Sequence, residues 1–443
     1  MKALSKLLAA LLLAAMLPLA ADSLPVLSLS DALAAAERNN ITLEQAKVSL
    51  AQVVRNQDNV MSTFMPSLSV SAGIGPSWTL PYSNNDFAYD GLDLSASASA
   101  SFTFTGSMLR DSQSRKLQKE AASLSYLSSY ESVTSAVTSA YWQIAVLQST
   151  RDLAVISLED AYNSYVSVLE SYESGQTDEL TLYQTELSWN QAEYTLKTAE
   201  DSLVSALQSF RNMTGLEGDF LLEELDDSFT LLLPTAEELY SEYAPGTLDI
   251  RSARNSLAQA GLALTTARLS AYVPTLTAGL SYSYGGGWDA TSWAYGSSRH
   301  ELSASLTVNV DVDALLPGSS SRASVNDAKD ALTLASLSLQ ETEEDLLETI
   351  RSGVTTIEQA QDNRTITEKT LKNAKRSYEL SEEAFEAGLL SADDLASARN
   401  TYLSAETSCL SLSATHLIAC YDLAATLNTS FEELKTKYST ETL

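Results

Sequence analysis

The chain has 443 residues, with 27 Lys+Arg against 57 Asp+Glu and a formal net charge of −30. That balance repels a polyanionic backbone and excludes nucleic-acid binding. Only 19% of residues are charged, with 17 Gly and 9 Pro, so this is neither a disordered acidic chain nor a linker protein, and two His and two Cys leave little for a metal or His-based catalytic site.

In chain order, Lys2 and Lys6 precede an apolar run from Leu7 to Leu17 and small residues at Ala20-Ala21, the layout of a secretory signal peptide over 1–21. About eleven apolar residues are too few to span a bilayer, which takes ~20. No later stretch is long enough, so no membrane helix is expected.

A helix pattern runs over about 29–64 and stops before Pro66, because the residue before a proline is pushed out of the α region. Strands are expected at about 66–80 and 91–105. From Leu92 to Thr105 the even positions read Leu, Leu, Ala, Ala, Ala, Phe, Phe and the odd ones Asp, Ser, Ser, Ser, Ser, Thr, Thr. Such a period of two gives one apolar and one polar face, and transmembrane strands of about 9–11 residues carry this pattern with aromatics near their ends. Trp78, Tyr82, Phe87 and Tyr89 supply the aromatics here. Next, apolar residues at alternating spacings of 3 and 4, from Tyr126 to Tyr172 with Arg151 as the polar break, predict a coiled-coil seam on a helix of about 107–172. At ~1.5 Å per residue that helix is roughly 100 Å long. It ends at Gly175, and a second helix returns over about 177–212.

An acidic linker over 215–246 follows, with one short helix opened by a Thr235/Glu238 capping box. The same grammar then repeats. Ser49-Leu50-Ala51-Gln52 recurs at Ser256-Leu257-Ala258-Gln259, Phe64-Met65-Pro66-Ser67-Leu68 at Tyr272-Val273-Pro274-Thr275-Leu276, and Tyr172-Glu173-Ser174-Gly175 at Phe385-Glu386-Ala387-Gly388. The second half has a helix of about 248–271, a break at Pro274, strands of about 274–286 and 300–313, a long helix of about 319–385 and a return helix of about 391–428. The domains are therefore a signal (1–21), a first repeat (22–214), a linker (215–246), a second repeat (247–428) and a short C-terminal tail (429–443).

Cys409 and Cys420 lie eleven residues apart on one helix, ~16 Å, too far for a disulfide. Both, with His416 and His300, are read as structural. No nucleophile–base pair, metal spacing or phosphate loop occurs, so neither an enzyme nor a cofactor is expected. Polar strand faces ending in Asn309, Asp311 and Asp313 would favour cations if they faced a lumen.

Signal, duplication, paired strands in each half and the Tyr/Phe-x-x-Gly turn together resemble the TolC family of outer-membrane efflux proteins. The resemblance implies a homotrimer with a 12-stranded β-barrel in outer-membrane lipid and a 12-helix α-barrel crossing the periplasm. It also implies a passive exit duct, for drug efflux or type I secretion, joined by a periplasmic adaptor to an inner-membrane transporter. By the same resemblance the adaptor meets the turns Ser174-Gly175-Gln176 and Ala387-Gly388-Leu389. The resemblance further implies that Asp394, with Asp393, Ser397 and Thr181, lines a periplasmic gate. Phe385 and Leu390 stand where the family's closed gate has a Tyr and an Arg, so helix packing is expected to hold the tip. Asp394 has an equal claim as the helix-capping residue above Ser391. The competing reading is a secreted or surface-attached coiled-coil adhesion protein, which leaves the paired strands unexplained.

Overall fold

A computed structural model describes residues 26–79, 88–218, 220–223, 229–289, 292, 294–296, 298–387 and 389–441. The expected signal at 1–21, with Tyr82, Phe87 and Gly388, lies outside them. In chain order the elements are β1 (Val26–Leu27), α1 (Leu29–Asn39), α2 (Ile41–Asp58), β2 (Ser67–Thr79), β3 (Ala88–Phe104), α3 (Met108–Glu173) and α4 (Glu179–Thr214). Then come β4 (Leu221–Leu222), β5 (Phe229–Leu231), α5 (Ala236–Tyr243), α6 (Leu248–Tyr272), β6 (Thr275–Asp289), β7 (Arg299–Asn309), α7 (Ser320–Glu386), α8 (Ala392–Thr426), α9 (Phe431–Tyr438) and β8 (Ser439–Glu441). The chain forms two compact units: a strand unit of 45–128 and 244–347, and a helical unit of 1–44, 129–243 and 348–443. No single helix among the described residues is long and apolar enough to cross a membrane.

The strand unit is built on one antiparallel sheet in the order β2-β3-β6-β7. Its register carries the alternation across all four strands. Ser69, Ser99, Ser281 and Ser303 form one row, and Val70, Ala98, Tyr282 and Leu302 the next, so every strand turns its apolar side to the same face. Helices join the strands through tight packing. Gly106 precedes α3 where an added Cβ would lie 2.9 Å from the Leu269 carbonyl oxygen of α6. Arg115 of α3 donates to the Asn56 carbonyl (2.5 Å), Asp111 (2.7 Å) and Thr63 (3.1 Å), fixing the end of α2 against α3.

In the helical unit the predicted seams form the core. Val137, Ile144, Ala154, Ala161 and Val168 of α3 are buried, as are Ile350 and Ile357 of α7, while Arg151 is half-buried and pairs with Asp152 at 2.8 Å. Buried Tyr141 donates from its hydroxyl to the Leu27 carbonyl (2.7 Å) and accepts from the Glu223 N–H (3.1 Å). This fastens both strands of the small parallel pair β1-β4 to α3. On the other side the Gln361 amide bonds the Leu231 N–H (2.9 Å) and carbonyl (3.3 Å) and accepts from His416 Nε2 (3.2 Å). A buried histidine thus serves to dock β5.

Several expectations need correction. The helix over 29–64 is broken at Asn40, whose backbone N–H closes α1 on the Ala36 carbonyl (2.8 Å), while its Oδ1 caps α2 by accepting from the Thr42 N–H (2.9 Å) and its Nδ2 donates to the Met213 carbonyl of α4 (2.9 Å). Its end, Asn59–Phe64, is a 3₁₀ segment. β7 stops at Asn309 instead of 313, because Asp311 accepts from the Asp313 N–H (3.1 Å) and the Ser321 hydroxyl (2.8 Å) and so closes a turn. The linker contains β4 and β5 besides its helix, and the tail contains α9 and β8, with β5 and β8 paired. Cys420 is buried, but Cys409 is only half-buried and His300 is exposed, bonded through Nδ1 to the Tyr282 hydroxyl at 2.7 Å.

Candidate functional site

Two surfaces hold the polar residues singled out by the sequence: the polar face of the sheet and the ends of the helical hairpins. On the sheet, hydroxyl pairs bridge neighbouring strands: Ser67–Ser101 and Ser69–Ser99 at 2.7 Å, Ser71–Ser97 at 2.8 Å, Ser281–Ser303 at 2.7 Å and Thr103–Thr277 at 3.1 Å. The opposite face exposes Leu68 (77%), Val70 (84%), Ile74, Leu280, Leu302 and Leu306 to the surroundings. An aliphatic face this exposed and continuous calls for an apolar medium or partner. The polar face is a neutral hydroxyl surface along most of its length. Its ionisable residues Asp93, Asp289, Arg299 and Glu301 gather toward the end that carries the hairpin connections, and Asp311 and Asp313 are off the sheet altogether.

At the hairpin ends, Ser174, Gly175 and Gln176 follow α3 and are exposed. Gly175 has φ of 74°, the left-handed region that glycine enters without a Cβ penalty. Its N–H donates to the Tyr172 carbonyl (2.9 Å) and the Gln176 N–H to the Ser171 carbonyl (2.8 Å), a Schellman closure. Asp178 then caps α4, accepting from the Thr181 N–H (2.9 Å) and hydroxyl (2.6 Å), and these bonds hold its carboxyl below the usual range. Ala387 and Leu389 flank the second turn, and the Leu389 N–H donates to the Ala384 carbonyl at 2.9 Å. Ser391 caps α8, accepting from the Asp394 N–H (3.2 Å) and donating to the Asp394 carboxylate (2.6 Å). Asp393 lies in the first turn of α8, and Ser397 is exposed one turn further on. Pro66 and Pro274 each stand one residue ahead of a strand, β2 and β6.

The two return helices meet here. Thr181 of α4 and Ser391 ahead of α8 wall one cavity of about 290 Å³, together with Thr185, Ser188 and Arg399. Arg399 of α8 is 8% exposed, with Nε 3.4 Å from the Asp160 carboxylate of α3. Burial raises the pKa of Tyr378 of α7, an effect the Arg399 charge partly offsets. Tyr378 stacks on Tyr402 at 5.8 Å, and the Tyr402 hydroxyl is pushed up to about 12, by burial first and then by Glu406. One buried cation therefore pairs α8 with α3, beside a tyrosine stack that links α8 to α7. Sequence reasoning missed it, although Leu395, Arg399, Tyr402 and Glu406 follow the 4-3-4 spacing of a seam, in which a lone arginine needs a partner.

The sequence profile of the family described as "Outer membrane efflux protein" matches residues 32–216 and 239–429. The chain belongs to the outer membrane efflux protein family. Among solved structures, the Campylobacter jejuni CmeC outer membrane channel superposes with a TM-score of 0.71 at 17% identity, over 92% of this chain and 88% of CmeC. The open-state Neisseria gonorrhoeae MtrE outer membrane channel gives 0.66 at 18% identity, over 91% and 89%. VceC, an outer membrane protein of Vibrio cholerae, gives 0.67 at 15% identity, over 91% and 96%. No curated protein matches the chain in sequence. This outer membrane efflux protein is a channel-tunnel of an efflux system, with its strands in the outer membrane and its helical tunnel in the periplasm. Family and fold are those of a transport channel, not of an enzyme, and nothing supports the adhesion reading.

Proposed function

We propose that three copies assemble into a passive duct, each supplying four strands to a 12-stranded barrel and four long helices to the periplasmic tunnel. The observation that carries this is the open sheet. Its edge strands β2 and β7 have no partner among the described residues, and one face is aliphatic while the other is hydroxylated. In lipid each unsatisfied backbone group costs several kcal/mol, so the edges must close on something. With four antiparallel strands per copy, β7 of one chain runs antiparallel to β2 of the next, and the ladder continues without a change of sense. Closure with the aliphatic face outward leaves a hydroxyl-lined lumen.

In the same reading, the exposed turns Ser174-Gly175-Gln176 and Ala387-Gly388-Leu389 receive a periplasmic adaptor, and through it an inner-membrane transporter drives export. Thr181, Asp393, Asp394 and Ser397 flank the constriction at the first turns of α4 and α8. Each half, 22–214 and 247–428, then contributes one helical hairpin and one strand hairpin, with 215–246 between them. The purified protein in mild detergent should run as a trimer that heat converts to monomer, and should open ion-conducting pores in planar bilayers. A monomer without conductance overturns the assembly.

A further inference from the structure

In a chain of net charge −30, the segments beside the sheet on its helix side reverse the sign. The fifteen-residue stretches 52–66, 105–119, 260–274 and 310–324 hold seven Lys/Arg against four Asp/Glu. The bias is strongest after β3, where Arg110, Arg115, Lys116 and Lys119 face a single acid, Asp111. Arg115 is engaged with Asp111, and Asp311 is occupied by its turn. Arg55, Arg110, Lys116, Lys119, Arg268 and Arg322 are exposed, and none of the six is in an ion pair among the described residues. Between these cations and the aliphatic face of the sheet lies a step of exposed apolar side chains off the strands: Met61, Met65, Leu109, Val310, Leu315 and Leu316. All of this is in the strand unit.

We propose that these cations form a collar in the headgroup layer of the periplasmic leaflet and bind anionic phospholipid of the phosphatidylglycerol class. The inference rests on the sheet lying in the bilayer. Three observations favour lipid as the occupant. The patch is continuous with the membrane-facing surface, its sign opposes the rest of the chain, and an apolar step separates it from the strands as acyl carbonyls separate a bilayer core from its phosphates. Lys and Arg lay their stems along such a step while the charge reaches the headgroups, and guanidinium groups take phosphate oxygens bidentately. Near an anionic surface each such residue is worth roughly fivefold in binding.

The test is native mass spectrometry of the full mature protein in mild detergent, with equal amounts of phosphatidylglycerol and phosphatidylcholine, beside conductance in planar bilayers. Wild type should retain phosphatidylglycerol several-fold over phosphatidylcholine. Lys116→Gln/Lys119→Gln, which touches no hydrogen bond in the structure, should lose most of that preference. Arg110→Lys/Arg322→Lys should keep it, as should Lys369→Gln/Lys372→Gln/Lys375→Gln, which removes more charge from the helical unit. Equal retention of both lipids by a conducting wild type overturns the collar and leaves the channel standing, as does an undiminished preference in Lys116→Gln/Lys119→Gln. A shift in ion selectivity of that variant with lipid preference unchanged places the lysines in the lumen and also overturns it. A wild type that neither inserts nor conducts removes the membrane reading and the collar together.

Discussion

Arg399 has the most at stake of any single residue in the helical unit. A guanidinium at 8% exposure costs several kcal/mol to desolvate unless its partners stay in place. Asp160 is 35% exposed and 3.4 Å away, which weakens the pair relative to a fully buried one. Asp160→Asn should therefore destabilise the helical unit by about 2 kcal/mol, below the ~3–5 kcal/mol of a fully buried pair. Arg399→Met in the same background should recover much of the loss, because it removes the unpaired charge. Thermal unfolding temperatures of the four members of that cycle give the coupling; additivity would show that the two residues do not act together.

Asp178 is a milder case with a definite pH sign. Its carboxyl is held below the usual range by Thr181, so its contribution is present above the ordinary carboxylate pKa of ~4 and is lost as pH falls through the lower folded value. Asp178→Ala should speed exchange of the Thr181 amide near pH 7, and the difference from wild type should shrink as falling pH protonates the wild-type carboxyl. Asp178→Asn, which still caps, should stay close to wild type throughout.

At the scale of elements, the sheet was the most legible part. Period two fixed which residues share a face, and one register row confirms it on four strands: Ser69, Ser99, Ser281 and Ser303. A one-residue change of position is then a large change of environment. Val70→Lys on the aliphatic face should cost about 2–4 kcal/mol and deplete the protein from the outer membrane. Ser69→Lys, its neighbour, should insert normally and shift the reversal potential toward anions. Equal behaviour of the two would remove the assignment of faces. The seams were legible for the same reason, since spacing alone placed Val137, Ile144, Ile350 and Ile357 in the core. The end of β7 was not, because alternation continues through Val310 and Val312 while Asp311 turns the chain by bonding the Asp313 N–H. A pattern records which side a residue would face in a strand and is silent about a competing side-chain bond.

On the scale of the whole molecule, the acidity is unevenly placed. The strand unit has 12 Lys/Arg against 17 Asp/Glu, and the helical unit 15 against 40. Cation selectivity should therefore come from the helical unit and not from the hydroxyl face of the sheet. Reversal potentials should show cation preference at 0.1 M salt that fades toward 1 M, as the screening length falls from about 10 Å to about 3 Å. Preference unchanged across that range would point to a narrow acidic ring instead of a diffuse field.

The duplication and two periodicities were enough to set out the helices and strands of each half and the resemblance they carry, because burial patterns of helices and strands are local and repeat. What only the tertiary structure decided involves residues far apart in sequence. The docking of Leu231 on Gln361 and His416 and the clamp of Tyr141 on Leu27 and Glu223 each satisfy a buried polar group with a partner at long range, and the buried Arg399 has its counter-charge Asp160 on another helix. The need for a partner can be read from one residue and its surroundings, but the partner's identity depends on how the chain comes together.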